Sequence, residues 1–336
     1  MWFLSFLFIA QSASLRVFPK SQSFEKDLKK DFAGLNNAPV IGILSLPNVP
    51  FQNFTINGTS YIASSYVKFL EMAGARVVPI RIDHSYAEFD YLFPRLNGIL
   101  FTGGNITFWV NNSNVPILSP DYAAKGCYLY ELVKKANDQG QFFPLWGTCA
   151  GFELLHVCAN NQFATIGNFN GEPSYTQVHQ FTSAAAVSKI FTELSLQFGQ
   201  QIMNIMATQN VSLLSHIHGI NPSIYQQFPN LPEMYNILSI MHDKSGSPFV
   251  GMIEARNYPI WGTQFHPEKN LYEWGQNSIP HFYDAVVMTT YMANFFVSQA
   301  RKNPNVFPQN ELTPQLIYNW PPVFIDSYFE TVSGFN

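Results

Sequence analysis

Two short stretches carry residue types and spacings that do chemistry. The first is Phe143-Pro144-Leu145-Trp146-Gly147-Thr148-Cys149-Ala150-Gly151-Phe152-Glu153-Leu154-Leu155. It reads as an apolar strand, then Gly-x-Cys-x-Gly, then a helix. Glycines on either side let the chain turn sharply, so the central thiol projects above the sheet edge as a nucleophile elbow. The helix that follows points its unpaired N–H groups and positive dipole end at the sulfur, which favours a thiolate and a lowered pKa. The Ala150 N–H then faces the position of a developing oxyanion. A buried structural cysteine in a tight strand–helix turn fits the same pentapeptide.

The second stretch, Ile260-Trp261-Gly262-Thr263-Gln264-Phe265-His266-Pro267-Glu268, ends in an imidazole and a carboxylate. A thiol nucleophile needs an imidazole to take its proton and return it to the leaving amine. Residues two apart in an extended segment share a side, so Glu268 is expected beside His266, orienting the ring. A solvated surface His-Pro-Glu is the plainer alternative. Cys127 and Cys158 lack flanking glycines and read as core residues or a disulfide pair.

These residues need a scaffold, and hydrophobic patterning predicts a parallel, doubly wound α/β sheet. Strands are expected at Pro39–Leu46, Ala75–Ile80, Gly98–Phe101 and Phe142–Trp146. Helices are expected at Tyr61–Ala73 and Asp121–Gln139 between them, with a last one at Tyr283–Arg301. Phe249–Glu254 and Ile260–Phe265 form a hairpin-like pair at one side of the sheet. No internal repeat is visible, and the Pro- and aromatic-rich tail, 303–336, holds no readable motif.

With 336 residues and 47% hydrophobic side chains, the chain is long and apolar enough for one large α/β domain or two smaller ones. Net charge is −4 with no Lys/Arg block, which argues against a nucleic-acid partner. Three cysteines without a CxxC pair exclude a dense disulfide framework and a zinc site of that type. Trp2–Ala10 is an apolar run too short to span a bilayer, followed by small residues, so 1–14 reads as a signal peptide. Five sequons, at Asn53, Asn57, Asn105, Asn111 and Asn210, support passage through the secretory route, with no membrane attachment after signal removal. The extracellular space or a lysosomal or vacuolar lumen is the expected destination.

Gly147-Thr-Cys-x-Gly-Phe-Glu153 and Gly262-x-Gln-Phe-His-Pro-Glu-Lys269, followed by Tyr272-Glu273-Trp274, resemble the γ-glutamyl hydrolase family. Tyr61-Ile-Ala-Ser-Ser-Tyr-Val-Lys-Phe-Leu-Glu71, Gly74-Ala-Arg-Val-Val-Pro-Ile80 and Asn97-Gly-Ile-Leu-Phe-Thr-Gly-Gly104 extend the likeness over about residues 39–302. Residues 15–38 are left as a polar lead. The resemblance implies a class I glutamine amidotransferase-like α/β/α sandwich, mostly parallel with a C-terminal antiparallel hairpin. It implies hydrolysis of folylpoly-γ-glutamates and antifolate polyglutamates through a thioester on Cys149, with no cofactor and no metal. Catalysis would then rest on Cys149, His266 and Glu268, with the oxyanion held by the N–H groups of Gly104 and Ala150. Substrate binding would fall to His216, Tyr61 and Glu153. The sequence departs from the family pattern at Thr102, Ser215 and Asn105–Phe108, around the binding rim.

Two other classes share some of these features. A glutamine amidotransferase uses the same chemistry up to the acyl-enzyme, but needs a synthase that this chain has no room for. A secreted non-catalytic binding paralogue would be expected to lose Cys149 or His266, and both are present. Whether the chain forms a homodimer is left open. Because the substrate tail is polyanionic, His216 and His218 are expected to be cationic in an acidic lumen and to help bind it, giving an acidic optimum.

Overall fold

The computed structural model describes residues 34–48, 58–104, 120–160, 165–325 and 328–336. The signal-like segment and the sequons at Asn53, Asn57, Asn105 and Asn111 lie outside them; Asn210 is exposed.

Five runs rich in β-branched and aromatic residues become the parallel strands of the central sheet. They are β1 (Val40–Leu44), β4 (Arg76–Ile80), β5 (Gly98–Phe101), β6 (Leu145–Thr148) and β10 (Ile260–Thr263). Between β1 and β4 lie β2 (Leu46–Pro47) and β3 (Ser60–Ala63), which belong to a second sheet. Three further strands complete the central sheet on one side: β7 (Gln180–Phe181), β8 (Tyr235–His242) and β9 (Pro248–Ala255). The strand order is β4-β1-β5-β6-β10-β9-β8-β7, with β9 antiparallel to β10. The sheet is therefore mostly parallel with an antiparallel C-terminal region; the patterning predicts the parallel strands and the β9–β10 pair, but not β7 or β8.

The helices include α1 (Ser64–Glu71), α2 (Pro120–Asp138), α3 (Ala150–Asn160), α4 (Leu196–Thr208), α5 (Lys269–Tyr272) and α6 (Tyr283–Ala300). The side chains of β6 and β10 show how helices sandwich the sheet. Trp146 and Trp261 pack on Phe296 and Phe295 of α6, with ring centroids 5.8 and 5.0 Å apart. The next residues, Gly147 and Gly262, lie against α3. Successive strand residues point to opposite faces, so α3 and α6 cover opposite faces in a three-layer α/β/α arrangement. The Cys127–Cys158 disulfide ties α2 to α3.

Several boundaries differ from the sequence expectation. The run Pro39–Leu46, expected as one strand, is split. β1 ends at Leu44, and Leu46 belongs to β2 of the second sheet. Between them Ser45 bonds to the end of β4, its N–H donating to the Ile80 carbonyl and its hydroxyl accepting from Ile82 N–H. Tyr61–Ala63, expected as the first turn of a helix, is strand β3, and the helix starts only at Ser64. Its strand partners are β2 and a strand at the far end of the chain, β12 (Thr331–Phe335), which pairs in turn with β11 (Val323–Phe324). Pairing this remote overrides local periodicity. Phe143 lies outside β6 because the Asn137 side chain accepts from its N–H and donates to its carbonyl. Residues Asn36–Asn336, the 303–336 stretch included, form one compact unit.

Candidate active site

The thiol sits where β6 meets α3. Cys149 has φ +52°, the one non-glycine residue with positive φ among the described residues. Such a conformation costs roughly 1–3 kcal/mol and persists where the surroundings hold it. Here the Cys149 N–H donates to the Thr263 carbonyl of neighbouring β10 at 2.8 Å, and the Cys149 carbonyl accepts from Glu153 N–H in α3. The thiol is free and buried.

The imidazole arrives from the next strand. After β10 the chain continues through Gln264, whose N–H donates to Gly251, to His266, whose N–H donates to Leu213. His266 Nδ1 lies 2.7 Å from Glu268 Oε1. With a carboxylate as partner, Nδ1 is assigned as the protonated nitrogen, which leaves the Nε2 lone pair to accept a proton. Nε2 is buried and has no hydrogen-bond partner among the described residues. The Pro267 carbonyl accepts from Thr289 of α6 at 2.6 Å, which anchors the turn. The His266–Glu268 contact is thus present, but Glu268 has helical dihedrals and caps α5. A turn, rather than an extended segment, brings the two side chains together.

Gly103 shows how close thiol and imidazole are. A Cβ there would lie 2.6 Å from Cys149 Cβ, 2.9 Å from His266 Cε1 and 2.9 Å from the Tyr66 hydroxyl. Tyr66, on α1, accepts from the Gly103 N–H at 2.8 Å and reaches His266 Nδ1 at 3.3 Å. A Cβ on Gly104 would lie 3.4 Å from the hydroxyl of Tyr61. Cys149, His266, Glu268, Gly104, Ala150 and Tyr61 therefore converge.

Glu153 lies in the first turn of α3, fully buried, and accepts from Gln264 Nε2 at 3.1 Å; the same nitrogen is 3.9 Å from the thiol. Burial pushes the Glu153 carboxyl up to about 8, with the Gln264 amide opposing.

Two electrostatic expectations are overturned. Burial, followed by the Glu153 and Glu268 carboxylates, pushes the Cys149 thiol well above its usual range. The Ala150 N–H and the Lys269 cation pull the other way and lose, because a desolvated anion outweighs one helix end. A thiol pushed in that direction needs a base to take its proton, and His266 is the imidazole beside it. His216 is pushed away from its charged form as well. It is buried, its Nδ1 is 2.5 Å from the His218 carbonyl, and its ring packs edge-on to Phe249. Burial pushes its pKa down to about 4, and that of half-exposed His218 also falls.

Sequence reasoning missed Tyr66 and Gln264. Tyr66 lies inside the quoted Tyr61–Glu71 stretch, where nothing in its neighbours marks it as a site residue. Gln264 stood two residues before His266 in the quoted motif, where that spacing was the one available signal.

A family model described as Peptidase C26 matches residues 39–268. γ-Glutamyl hydrolase B of Dictyostelium discoideum is 34% identical over 306 residues, covering 90% of this chain and 84% of the relative. γ-Glutamyl hydrolase 1 of Arabidopsis thaliana is 33% identical over 299 residues, covering 86% and 80%. γ-Glutamyl hydrolase of Homo sapiens is 32% identical over 302 residues, covering 89% of each chain. With the likeness spanning the sheet, the elbow and the His-Pro-Glu turn together, the chain belongs to the peptidase C26 family of γ-glutamyl hydrolases.

Proposed function

We propose that the protein cleaves γ-glutamyl peptide bonds of folylpoly-γ-glutamates, and of antifolate polyglutamates, through a γ-glutamyl thioester on Cys149. The observation that carries this reading is the imidazole with Glu268 on one nitrogen and an unpartnered second nitrogen, set beside a free thiol. His266 Nε2 takes the thiol proton as Sγ attacks the γ-carbonyl carbon. The carbonyl oxygen becomes an oxyanion facing the N–H groups of Gly104 and Ala150. As it collapses, the C–N bond breaks and His266 gives its proton to the leaving amine. Water, deprotonated by His266, then releases the glutamyl product and restores the thiol. Glu268 holds the ring's tautomer and stabilises the imidazolium. Tyr61 lines the Gly104 side of the pocket, and Glu153 acts through Gln264 beside the sulfur. His216 shapes the neighbouring turn as a neutral ring.

The test is purified protein on a folate pentaglutamate, with products resolved by chain length over time. Shortened chains are expected. Ammonia release from glutamine without chain shortening would replace this reading with an amidotransferase-type glutaminase, and no turnover of either would leave a binding paralogue.

We infer a secretory location as well, supported by the signal-like start, the sequons and the Cys127–Cys158 disulfide, a bond that persists in oxidising compartments. Protein from its native source should lose mass with a glycosidase and begin near residue 15. An uncleaved, unglycosylated chain would contradict the inference.

A further inference from the structure

The 303–336 stretch has no readable motif and lies beyond the residues that the family model matches, yet part of it reaches the catalytic residues. β12 pairs with β3 in the register Val332↔Ala63 and Gly334↔Tyr61, which delivers the residues just before it to the Tyr61 side of the site. The Phe329 ring is buried, with its centroid 6.2 Å from that of Tyr61. The Tyr328 hydroxyl is hydrogen-bonded to the Ser215 hydroxyl, one residue before His216. Glu330 N–H donates to Glu273 Oε2 at 2.6 Å, and Trp274 N–H donates to Glu330 Oε1 at 3.1 Å.

Between these contacts lies Lys269, the residue after Glu268, fully buried. Its ammonium donates to the Tyr328 carbonyl at 3.0 Å and sits 4.3 Å from the Phe329 ring centroid and 4.9 Å from that of Tyr328. A buried ammonium is costly unless its surroundings replace the lost water. Carbonyl oxygen and aromatic faces do so, the latter by cation–π attraction. Burial pushes its pKa down, and the negative charges of Glu273, Glu268 and an ionised Cys149 oppose that. Its charge is one of the two influences that favour the thiolate.

We propose that Tyr328-Phe329-Glu330 is a strap that forms part of the hydrolase site. It holds the Lys269 cation beside Glu268 and pins the Ser215–His216 turn, so Tyr328 and Phe329 are positioning residues for γ-glutamyl hydrolysis. The catalytic consequence rests on the proposed function; the geometric one does not.

The test uses the full chain and two readouts: alkylation of Cys149 by iodoacetamide without substrate, and kcat and KM on a folate pentaglutamate. Phe329→Leu, which keeps bulk but removes the ring, should slow alkylation at pH 6 about three- to tenfold and lower kcat in proportion. Phe329→Tyr, which keeps the ring, should restore both. Tyr328→Phe should raise KM about threefold with alkylation unchanged, because it frees the Ser215 turn and leaves the ring over Lys269. Wild-type alkylation, kcat and KM in folded Phe329→Leu and Tyr328→Phe would overturn the proposal. If Phe329→Leu fails to fold, Tyr328→Phe decides on KM, since it removes a single oxygen. If the wild type ignores polyglutamate but Phe329→Leu still slows alkylation, the strap stands and the assigned reaction falls.

Discussion

Adjacent strands β6 and β10 carry the same tripeptide, Trp-Gly-Thr, side by side in register, with Trp146 opposite Trp261 and Thr148 opposite Thr263. Both tryptophans face α6 and both glycines face α3. The strands part ways only after the threonine. β6 reverses at Cys149 in a left-handed conformation and enters a helix, so its functional atom is presented by backbone strain. β10 runs on three residues and presents an imidazole through a turn, with Glu268 and Thr289 holding it in place. Two copies of one strand thus place a nucleophile and a base beside each other. Parallel register sets their spacing, and the local turns set which group each displays.

The gap between the two ends is the place to break this comparison with the largest effect. Gly103→Ala would put a methyl 2.6 Å from Cys149 Cβ and 2.9 Å from His266 Cε1. Turnover should fall about a hundredfold or more, because small displacements of reacting groups are that costly. Wild-type kcat in this variant would mean that thiol and imidazole do not work together.

The paired glycines sharpen the comparison through stability. A Cβ on Gly147 meets the Gly151 carbonyl oxygen at 2.6 Å, a backbone atom of the elbow helix. On Gly262 it meets the Phe152 and Leu155 side chains first, at 2.9 and 3.1 Å, and a backbone atom, the Gly147 carbonyl oxygen, only at 3.2 Å. Urea denaturation should show Gly147→Ala losing roughly 3 kcal/mol or more and Gly262→Ala about 1–2. The reverse ranking would contradict the close seating of α3 on β6.

The smallest effect concerns the buried histidines that pack rather than react. His156, His179 and His216 are buried, with pKa values pushed by desolvation to about 4, 3 and 4. Each stays neutral in the folded chain while its unfolded counterpart protonates near 6.5. Its contribution to stability is therefore fully present above pH 6.5 and is lost as pH falls towards 4, at about 1.4 kcal/mol per pH unit per histidine. Glu153, raised to about 8, has the opposite sign: its contribution is lost as pH rises from 4.5 through 8. Three groups against one predict net destabilisation between pH 6.5 and 4.5. His179→Gln, which can still meet the Ser212 and Ser239 hydroxyls, should flatten that slope by one histidine's share. An unchanged slope in chemical denaturation at pH 7, 6 and 5 would refute the assignment.

These features were unequally legible in the sequence. Gly-x-Cys-x-Gly is local, so its turn could be read directly, as could the apolar runs of β1 and β5. The His266–Glu268 pairing could be read too, but as an extended segment rather than the turn that forms it. The strand at Tyr61–Ala63 could not, because its partner β12 is among the last residues of the chain. Neither could the neutral state of His216 or the raised thiol pKa, since both follow from how much chain covers them. Tyr66 looks like any apolar helix position until Gly103 and His266 fold against it.

The central claim is that the Cys149 thiol forms the acyl bond. The direct measurement is acid-quenched mass spectrometry of the enzyme during turnover of a γ-linked polyglutamate, beside Cys149→Ser. A γ-glutamyl adduct should map to the peptide bearing Cys149, and Cys149→Ser should fold normally yet retain less than about a thousandth of wild-type kcat. An adduct on another residue, or a Cys149→Ser enzyme with near wild-type turnover, would contradict the account.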